Sequence, residues 1–207
     1  MIGSIMLYPC PEKIGNTMEH AAIREEGNFM VMKGGKSYTI ADIEALPEDQ
    51  RAELIDGELF MMATPTSTHQ EILVHLLFEI EGYIRKSKGE CKVYPAPYGV
   101  YIKDDDRHFV EPDISVICDK EKIDEKGCHG APDWVIEIVS PTSGQMDYVR
   151  KLALYQAAGV REYWIVDPQR ETITVYDLKN GRKAEEYSFS ERIKVGIYED
   201  FYLNLVE

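Results

Sequence analysis

The clearest pattern in the chain is a helical one, in the segment THQEILVHLLFEIEGYIRKSKG. Apolar residues recur there every three or four positions, which gathers them on one face of an α-helix, and Gly89 is available to end it. Two shorter segments also predict helices. The first follows Thr39, an N-cap residue with Asp42 three positions further on. The second covers residues 145–158 and ends at Gly159.

Short apolar segments between and after these helices predict β-strands. Residues 98–103, 109–118 and 133–140 are each rich in β-branched or aromatic residues and are bounded by Pro, Gly or Asp. A further strand, REYWIVD, follows the last helix and stops at Pro168. Three strands therefore precede the last helix and one follows it.

Two dipeptides predict tight hairpins. Asp56-Gly57 joins two apolar runs in the first third of the chain, and Asn180-Gly181 does so near the end. The central residues of a type I′ turn need a positive φ, which these residue types adopt more easily than others. A last apolar segment, FYLNLV, follows the second hairpin.

The order of these elements predicts an α/β fold with a mixed sheet. A strand-helix-strand step requires a crossover and a parallel pair, and helices should flank the sheet. Residues 1–37 show no sustained period and end in KGGK, a flexible composition. We therefore expect an N-terminal extension at residues 1–37 and one domain at residues 38–207.

Composition excludes several protein classes. Hydrophobic residues make up 44% of the 207 residues and charged residues 29%, as in a soluble globular protein. Because no apolar run approaches about 18 residues and the start lacks a signal-peptide pattern, we expect a cytoplasmic protein without membrane contact. The four cysteines are too few and too irregularly spaced for a disulfide framework, so reduced thiols are expected.

The net charge of −14 argues against non-specific binding to nucleic acid or to anionic membranes. A nucleic-acid substrate would need a local basic strip or a metal ion to offset the repulsion.

Two acids lie in the middle of otherwise apolar strands: Asp113 in VEPDISVI and Glu137 in WVIEIVS. Either one alone is readily explained as an outward-facing acid. If the two strands are neighbours, however, the carboxylates converge, and their repulsion raises one pKa unless a cation bridges them. A hard divalent ion such as Mg²⁺ or Mn²⁺ prefers such oxygen ligands.

Lys151 follows Glu137 by 14 residues and lies on the second long helix. Its simplest role is an i,i+4 ion pair with Asp147. Helical projection, however, surrounds Lys151 with Tyr148, Tyr155 and other apolar side chains, which is a poor environment for a purely solvated ammonium.

Residues 38–168 resemble the Uma2 family of the PD-(D/E)xK restriction-endonuclease-like superfamily. The matching phrases, in the order that the family has them, are YTIADIEALPED, AELIDGEL, HQEILVHLL, EPDISVI, IEIVSPTS and DYVRKLALYQAAGVREYWIVDP. The resemblance implies a restriction-endonuclease-like αβββαβ core, with an N-terminal helix and β-hairpin before it and a C-terminal hairpin after it. That is the order already predicted from the periodicity.

The resemblance also implies a metal-dependent endonuclease that acts on DNA, with Mg²⁺ or Mn²⁺ held by Asp113, Glu137 and the main-chain carbonyl of Ile138. The lysine of the superfamily motif is replaced here by Val139. In the Uma2 family this lysine has moved to the following helix, which makes Lys151 the catalytic candidate. Relatives of this fold often pair two sites for duplex cleavage, so a homodimer is expected.

Further candidate residues follow partly from the resemblance and partly from their positions in the chain, and Tyr155 can also be read as a core aromatic. His69 lies in the first turn of the long helix, beside the expected site, and Tyr155 follows Lys151 by one turn. Glu53 and Glu58 flank the first hairpin turn, where solvent-facing acids are also common. Glu71 is better explained as the partner of Thr68 in a capping box than as a site residue.

Two functions therefore remain open from the sequence. One is a metal-dependent nuclease in which Asp113, Glu137, Lys151, His69, Tyr155 and Glu58 form the site. The other is a catalytically inactive nuclease fold that serves as a binding or regulatory module, which the acidic charge and the displaced lysine favour.

Overall fold

The computed structural model describes residues 22–26, 29–33, 37–140, 146–181 and 183–206. Its helices are α1 (Ile40–Glu44), α2 (Ser67–Lys86) and α3 (Leu152–Ala158), with a 3-10 turn at Lys120–Lys122 and a π-helical turn at Met146–Lys151. Its strands are β1 (Ala22–Glu26), β2 (Phe29–Lys33), β3 (Ala52–Ile55), β4 (Glu58–Met61), β5 (Lys92–Pro95), β6 (Val100–Tyr101), β7 (Ile114–Ile117), β8 (Cys128–His129), β9 (Trp134–Ile138), β10 (Glu162–Asp167), β11 (Thr172–Asp177), β12 (Lys183–Ser188), β13 (Ile193–Lys194) and β14 (Tyr202–Leu203).

A six-stranded mixed sheet forms the centre of the molecule, in the order β12-β11-β10-β9-β7-β5. Strands β9 and β10 are parallel, and the other neighbours are antiparallel. The π-helical turn and α3 connect the parallel pair, as a crossover requires. The predicted mixed sheet is therefore confirmed.

Two apolar layers cover the faces of this sheet. On one face, α2 buries Leu76 and Ile80 against Trp134 and Trp164, the last two in an edge-to-face contact. The opposite face packs Tyr155 of α3 and side chains of the β3–β4 hairpin against β9 and β10. Because each strand alternates its side chains between the faces, neighbouring residues of β7 and β9 contribute to different layers.

One predicted strand is not part of this sheet. The segment 98–103 supplies only β6, which pairs with β8 in a separate two-stranded sheet. The place beside β7 is taken by β5, which the sequence pattern did not predict. As an edge strand with an exposed lysine at its start and a proline at its end, β5 has no clear apolar pattern.

The predicted strand 109–118 is also shorter than expected, because only residues 114–117 join the sheet. Pro112 has no N–H to donate to a ladder, so Pro112 and Asp113 separate β7 from the preceding residues. Phe109 instead forms an isolated bridge with Leu54, and Val110 with Val100.

Capping of α2 differs from the prediction at both ends. Thr66 is the N-cap, with its hydroxyl accepting the N–H of His69 at 3.2 Å, so the predicted capping box of Thr68 and Glu71 is wrong. At the other end, Lys88 and not Gly89 has a positive φ, of 54°. The N–H of Gly89 then closes the helix on the carbonyl of Ile84.

The capping of α1 and the first hairpin turn are confirmed. Thr39 and Asp42 form the capping box of α1. Asp56 and Gly57 have φ values of 54° and 78°, as a type I′ turn needs.

The second hairpin, β11–β12, is present as well, but its predicted tight turn at Asn180-Gly181 is wrong. Asp177 pairs with Lys183, which leaves a connection longer than two residues, and only Gly181 of the two predicted turn residues has a positive φ.

The helix predicted over residues 145–158 begins as a π-helical turn and becomes α-helical only at Leu152. Its predicted first residue, Gln145, lies outside the described residues. Gly159 ends the helix with a φ of 91°, as expected. Hydrophobic periodicity does not reveal a π turn, because one extra residue per turn changes the pattern only locally.

Part of the predicted N-terminal extension is paired with the rest of the chain. Strands β1 and β2 form a hairpin, and β2 pairs with β4, which gives a four-stranded sheet in the order β1-β2-β4-β3. Residues 1–21, 27–28 and 34–36 lie outside the described residues.

The expectation of reduced thiols is wrong for two cysteines. Cys91 and Cys118 form a disulfide across the ends of β5 and β7, where the register pairs Lys92 with Ile117. Cys128 is a free, buried thiol. Sequence spacing did not reveal the bridge because strand register brings together residues 27 positions apart. No helix in the described part of the chain has both the length and the apolar character that a membrane span requires.

Candidate functional site

Neighbouring strands bring Asp113 and Glu137 together. Strands β7 and β9 are antiparallel, with Ile114 opposite Ile136. Asp113, which precedes Ile114, therefore lies beside Glu137, which follows Ile136. Oδ2 of Asp113 accepts the main-chain N–H of Ile138 at 2.7 Å, which fixes the aspartate at the end of β9. The convergence expected from adjacent strands is present.

Lys151 reaches Glu137 of this pair from the helical segment that follows β9. Its Nζ lies 2.9 Å from Oε1 of Glu137, 2.9 Å from Oε2 of Glu53 and 3.6 Å from Oδ1 of Asp147. The lysine side chain is only 7% exposed. The i,i+4 contact with Asp147 is thus one of three carboxylate contacts, and the two shorter ones come from other elements.

The π-helical turn directs Asp147 and Lys151 inward together. Both residues are buried, although they lie in the polar sequence MDYVRK. Tyr163 of β10 donates its hydroxyl to the main-chain carbonyl of Asp147 at 3.1 Å and so fastens the turn to the sheet. Turns of this kind often occur at functional sites, because the extra residue changes the direction of nearby side chains.

Tyr155 supports Glu137 from one turn further along the helix. Its hydroxyl donates to Oε1 of Glu137 at 2.7 Å, and the whole side chain is buried. The same oxygen of Glu137 therefore accepts hydrogen bonds from both Lys151 and Tyr155. The tyrosine ring also packs edge to face against Tyr163.

His69 approaches Asp113 from the N-terminal turn of α2. Its Nε2 lies 3.1 Å from Oδ1 of Asp113. Its other ring nitrogen, Nδ1, is buried and has no hydrogen-bond partner within the described part of the chain. The two carboxylate oxygens of Asp113 thus face two different elements, α2 and β9.

Glu53 belongs to this cluster and is not a solvent-facing acid of the hairpin. It is 5% exposed, and while one oxygen contacts Lys151, the other accepts the N–H of Glu111 at 3.0 Å. The sequence feature that could have identified Glu53 is the same as for Glu137: an acid in the middle of an apolar strand. Strand β3 is buried along its whole length.

Glu58, the other acid of this hairpin, is placed differently. It forms an ion pair with Arg150, and both side chains are partly exposed. The guanidinium of Arg150 also lies 5.0 Å from the ring centre of Phe60. A second arginine nearby, Arg51, pairs with Glu111.

The electrostatics of the cluster follow from its burial. Burial raises the pKa of Glu137 well above its ordinary value, although Lys151 acts in the opposite direction. Burial alone would lower the pKa of Lys151, but Glu137, Glu53 and Asp147 outweigh it and hold that pKa well above the ordinary value. The lysine is therefore firmly charged.

These residues fit a hard divalent cation. Four carboxyl groups, those of Glu53, Asp113, Glu137 and Asp147, lie close to a single lysine, and a dication beside them would favour the ionised form of Glu137. Magnesium is commonly bound by one or two carboxylates and completes its shell with water. Within the described residues, no three His, Cys, Asp or Glu side chains are arranged to hold a metal by themselves. Asp113 and Glu137 would thus supply only part of a coordination shell.

The chain is similar to known proteins over most of its length. A family described as "Putative restriction endonuclease" (Uma2) matches residues 40–204. Among solved structures, a "putative nuclease belonging to DUF820" from Anabaena variabilis ATCC 29413 has a similar fold, with a TM-score of 0.66 and 24% sequence identity. The match covers 81% of this chain and 94% of that one. No curated protein matches the chain. Because the family match extends over most of the sequence, the chain belongs to the Uma2 family, whose fold is that of a restriction-endonuclease-like nuclease.

Proposed function

We propose that this protein is a divalent-metal-dependent endonuclease that hydrolyses phosphodiester bonds in DNA. The observation that supports the proposal most strongly is the contact of Lys151 with Glu137, beside Asp113 on the neighbouring strand. Two acids and a lysine are thereby combined, although the lysine comes from a helix and not from the strand. The family membership supports the same reaction class.

Asp113, Glu137 and the main-chain carbonyl of Ile138 are the groups that would hold Mg²⁺ or Mn²⁺. When bound, such an ion would act as a Lewis acid and stabilise negative charge on the phosphate. The ammonium of Lys151 orients the attacking water or neutralises the charge that develops on the phosphate. Glu53 and Asp147 hold Lys151 in place, and Tyr155 holds Glu137.

An anionic substrate must approach a chain with a net charge of −14. Two partly exposed arginines lie close to the cluster. Arg51 pairs with Glu111, and Arg150, the residue before Lys151, pairs with Glu58. Together with the bound dication they would provide the local positive charge that phosphate binding requires.

The first experiment is a metal titration by calorimetry, with Mn²⁺ as the probe. The wild type is compared with Asp113→Asn, which can still accept the N–H of Ile138, and with Asp119→Asn as an exposed control. We expect weaker binding of about tenfold or more for Asp113→Asn only. Equal affinity in all three proteins would contradict the metal site.

The second experiment is cleavage of supercoiled plasmid and of single-stranded DNA with and without Mg²⁺ or Mn²⁺. Lys151→Met is compared with Lys179→Met, which alters an exposed lysine near the second hairpin turn. Metal-dependent cleavage that is lost only in Lys151→Met is the expected result. Metal binding without cleavage at any salt concentration would favour the alternative, an inactive nuclease fold that serves as a binding module.

A further inference from the structure

The outward face of α2 carries an apolar stripe in the middle of the helix. Val74 and Phe78 are one turn apart and are 62% and 74% exposed. Gly82 lies one turn further along the same face, and a Cβ placed there would meet no atom within 4 Å. We call Val74, Phe78 and Gly82 the α2 stripe.

Most of the exposed large apolar residues lie on this side of the molecule. The carbonyl of Asn204 accepts the Nε2–H of His75 at 3.0 Å, so the C-terminal segment with Tyr202 and Val206 runs beside α2. Among the described residues, Val149 is the other large apolar side chain with high exposure, and it lies on the π-helical turn across the sheet. Concentration of apolar surface on one face is typical of an interaction site.

We propose that a second copy of this chain binds to the α2 stripe, with the two α2 helices antiparallel and the two-fold axis at Phe78. In such a pair, residues at equal distances on either side of Phe78 face each other. Val74 then faces Gly82 of the partner subunit, where the missing side chain leaves room for it. The two Phe78 rings meet at the axis.

Charge complementarity supports the same register. Glu71 lies seven residues before Phe78 and Arg85 seven residues after it, and both are exposed; Arg85 also pairs with Glu81 one turn earlier on its own helix. Glu71 therefore faces Arg85 of the partner subunit, and the symmetry repeats the pair at the other end. A parallel arrangement would instead place each charge beside its own copy. The sequence of α2 thus favours the antiparallel pair.

This pairing keeps the two candidate sites of the dimer apart. His69 lies nine residues before Phe78, so the two sites would be about 27 Å apart along the helix axis at a rise of 1.5 Å per residue. The inference does not depend on the proposed nuclease activity, because it is tested without metal or DNA.

Sedimentation velocity over a concentration series tests the interface. The wild type is compared with Phe78→Glu and with Val149→Glu, which makes the same change at the exposed apolar residue across the sheet. We expect dimers in the wild type and in Val149→Glu, and a monomer with an unchanged circular dichroism spectrum in Phe78→Glu. A wild type that is monomeric at every concentration would overturn the proposal. A Phe78→Glu variant that still forms dimers would overturn it as well.

Charge exchange tests the register. Glu71→Arg alone or Arg85→Glu alone should weaken the dimer by about tenfold, because each replaces two attractive pairs with repulsive ones. The double variant restores opposite charges and should return the dissociation constant close to that of the wild type. Additive weakening in the double variant would contradict the antiparallel register.

Discussion

Nζ of Lys151 lies 2.9 Å from Oε1 of Glu137, although the two residues belong to a helix and a strand that are separated by the segment 139–145. The ammonium of Lys151 thus lies beside the carboxylate of Glu137, although Lys151 is not part of the sheet. Val139 stands two residues after Glu137, where side chains of a strand return to the same face. Its half-buried side chain packs with the core layer that contains Tyr155.

A lysine placed at position 139 should therefore restore part of the cleavage activity that is lost when Lys151 is replaced. We expect Lys151→Met to lower the rate of metal-dependent cleavage by about 10³-fold, and Val139→Lys in the same protein to recover at least tenfold. The measurement is single-turnover cleavage, with circular dichroism and Mn²⁺ affinity as checks of folding. A folded, metal-binding double variant without recovery would show that the lysine must approach from the helix.

The two acids of the first hairpin should differ in their effects. Glu53→Gln removes a buried carboxylate from Lys151, whereas Glu58→Gln changes a partly exposed partner of Arg150. We expect cleavage to fall about 10²-fold in Glu53→Gln, because the lysine loses one of its two close carboxylates, and to change about twofold or less in Glu58→Gln. Steady-state kinetics of the two variants at equal DNA concentrations provide the test. A larger effect at Glu58 would support the site role that the family resemblance implies for it.

Tyr155 and Tyr163 form a matched pair of buried tyrosines. Tyr155→Phe removes the hydrogen bond to Glu137, and Tyr163→Phe removes the hydrogen bond to the carbonyl of Asp147. Each change should lower the free energy of unfolding by about 1 kcal/mol, as measured by urea denaturation. Only Tyr155→Phe should also weaken Mn²⁺ binding. If both variants weaken it equally, the effect is structural and not specific to Glu137.

Glu162 should make stability depend on pH. Burial raises its pKa, although Trp164 and the main chain at Gly196 and Ile197 donate hydrogen bonds to it. A raised folded-state pKa means that the folded protein binds the proton more tightly than the unfolded chain. The stabilising contribution is therefore complete below the ordinary glutamate pKa and is lost as pH rises through the folded-state value.

Urea denaturation at a series of pH values measures this dependence. The stability of the wild type relative to Glu162→Gln should fall as pH rises from the ordinary glutamate pKa to the folded-state value. Glu186→Gln, which changes an exposed acid paired with Arg170, serves as the control for the substitution itself. A parallel pH dependence of the wild type and Glu162→Gln would exclude Glu162 as the titrating group.

The sequence by itself determined the order of the main elements and the identity of several site residues. Helical periodicity predicted α2, and the dipeptide Asp56-Gly57 predicted a hairpin, because both signals depend on residues close together in the chain. Asp113 and Glu137 were recognisable because an acid within an apolar strand needs a partner.

Only the tertiary structure decided which strands are neighbours and which charges meet. The edge strand β5, the disulfide between Cys91 and Cys118, and the place of Glu53 beside Lys151 all depend on contacts between residues far apart in sequence. Local periodicity describes which face of an element is buried but not what lies against that face. The partners of a buried charge are therefore set by strand register and helix placement, which are fixed only when the whole core packs.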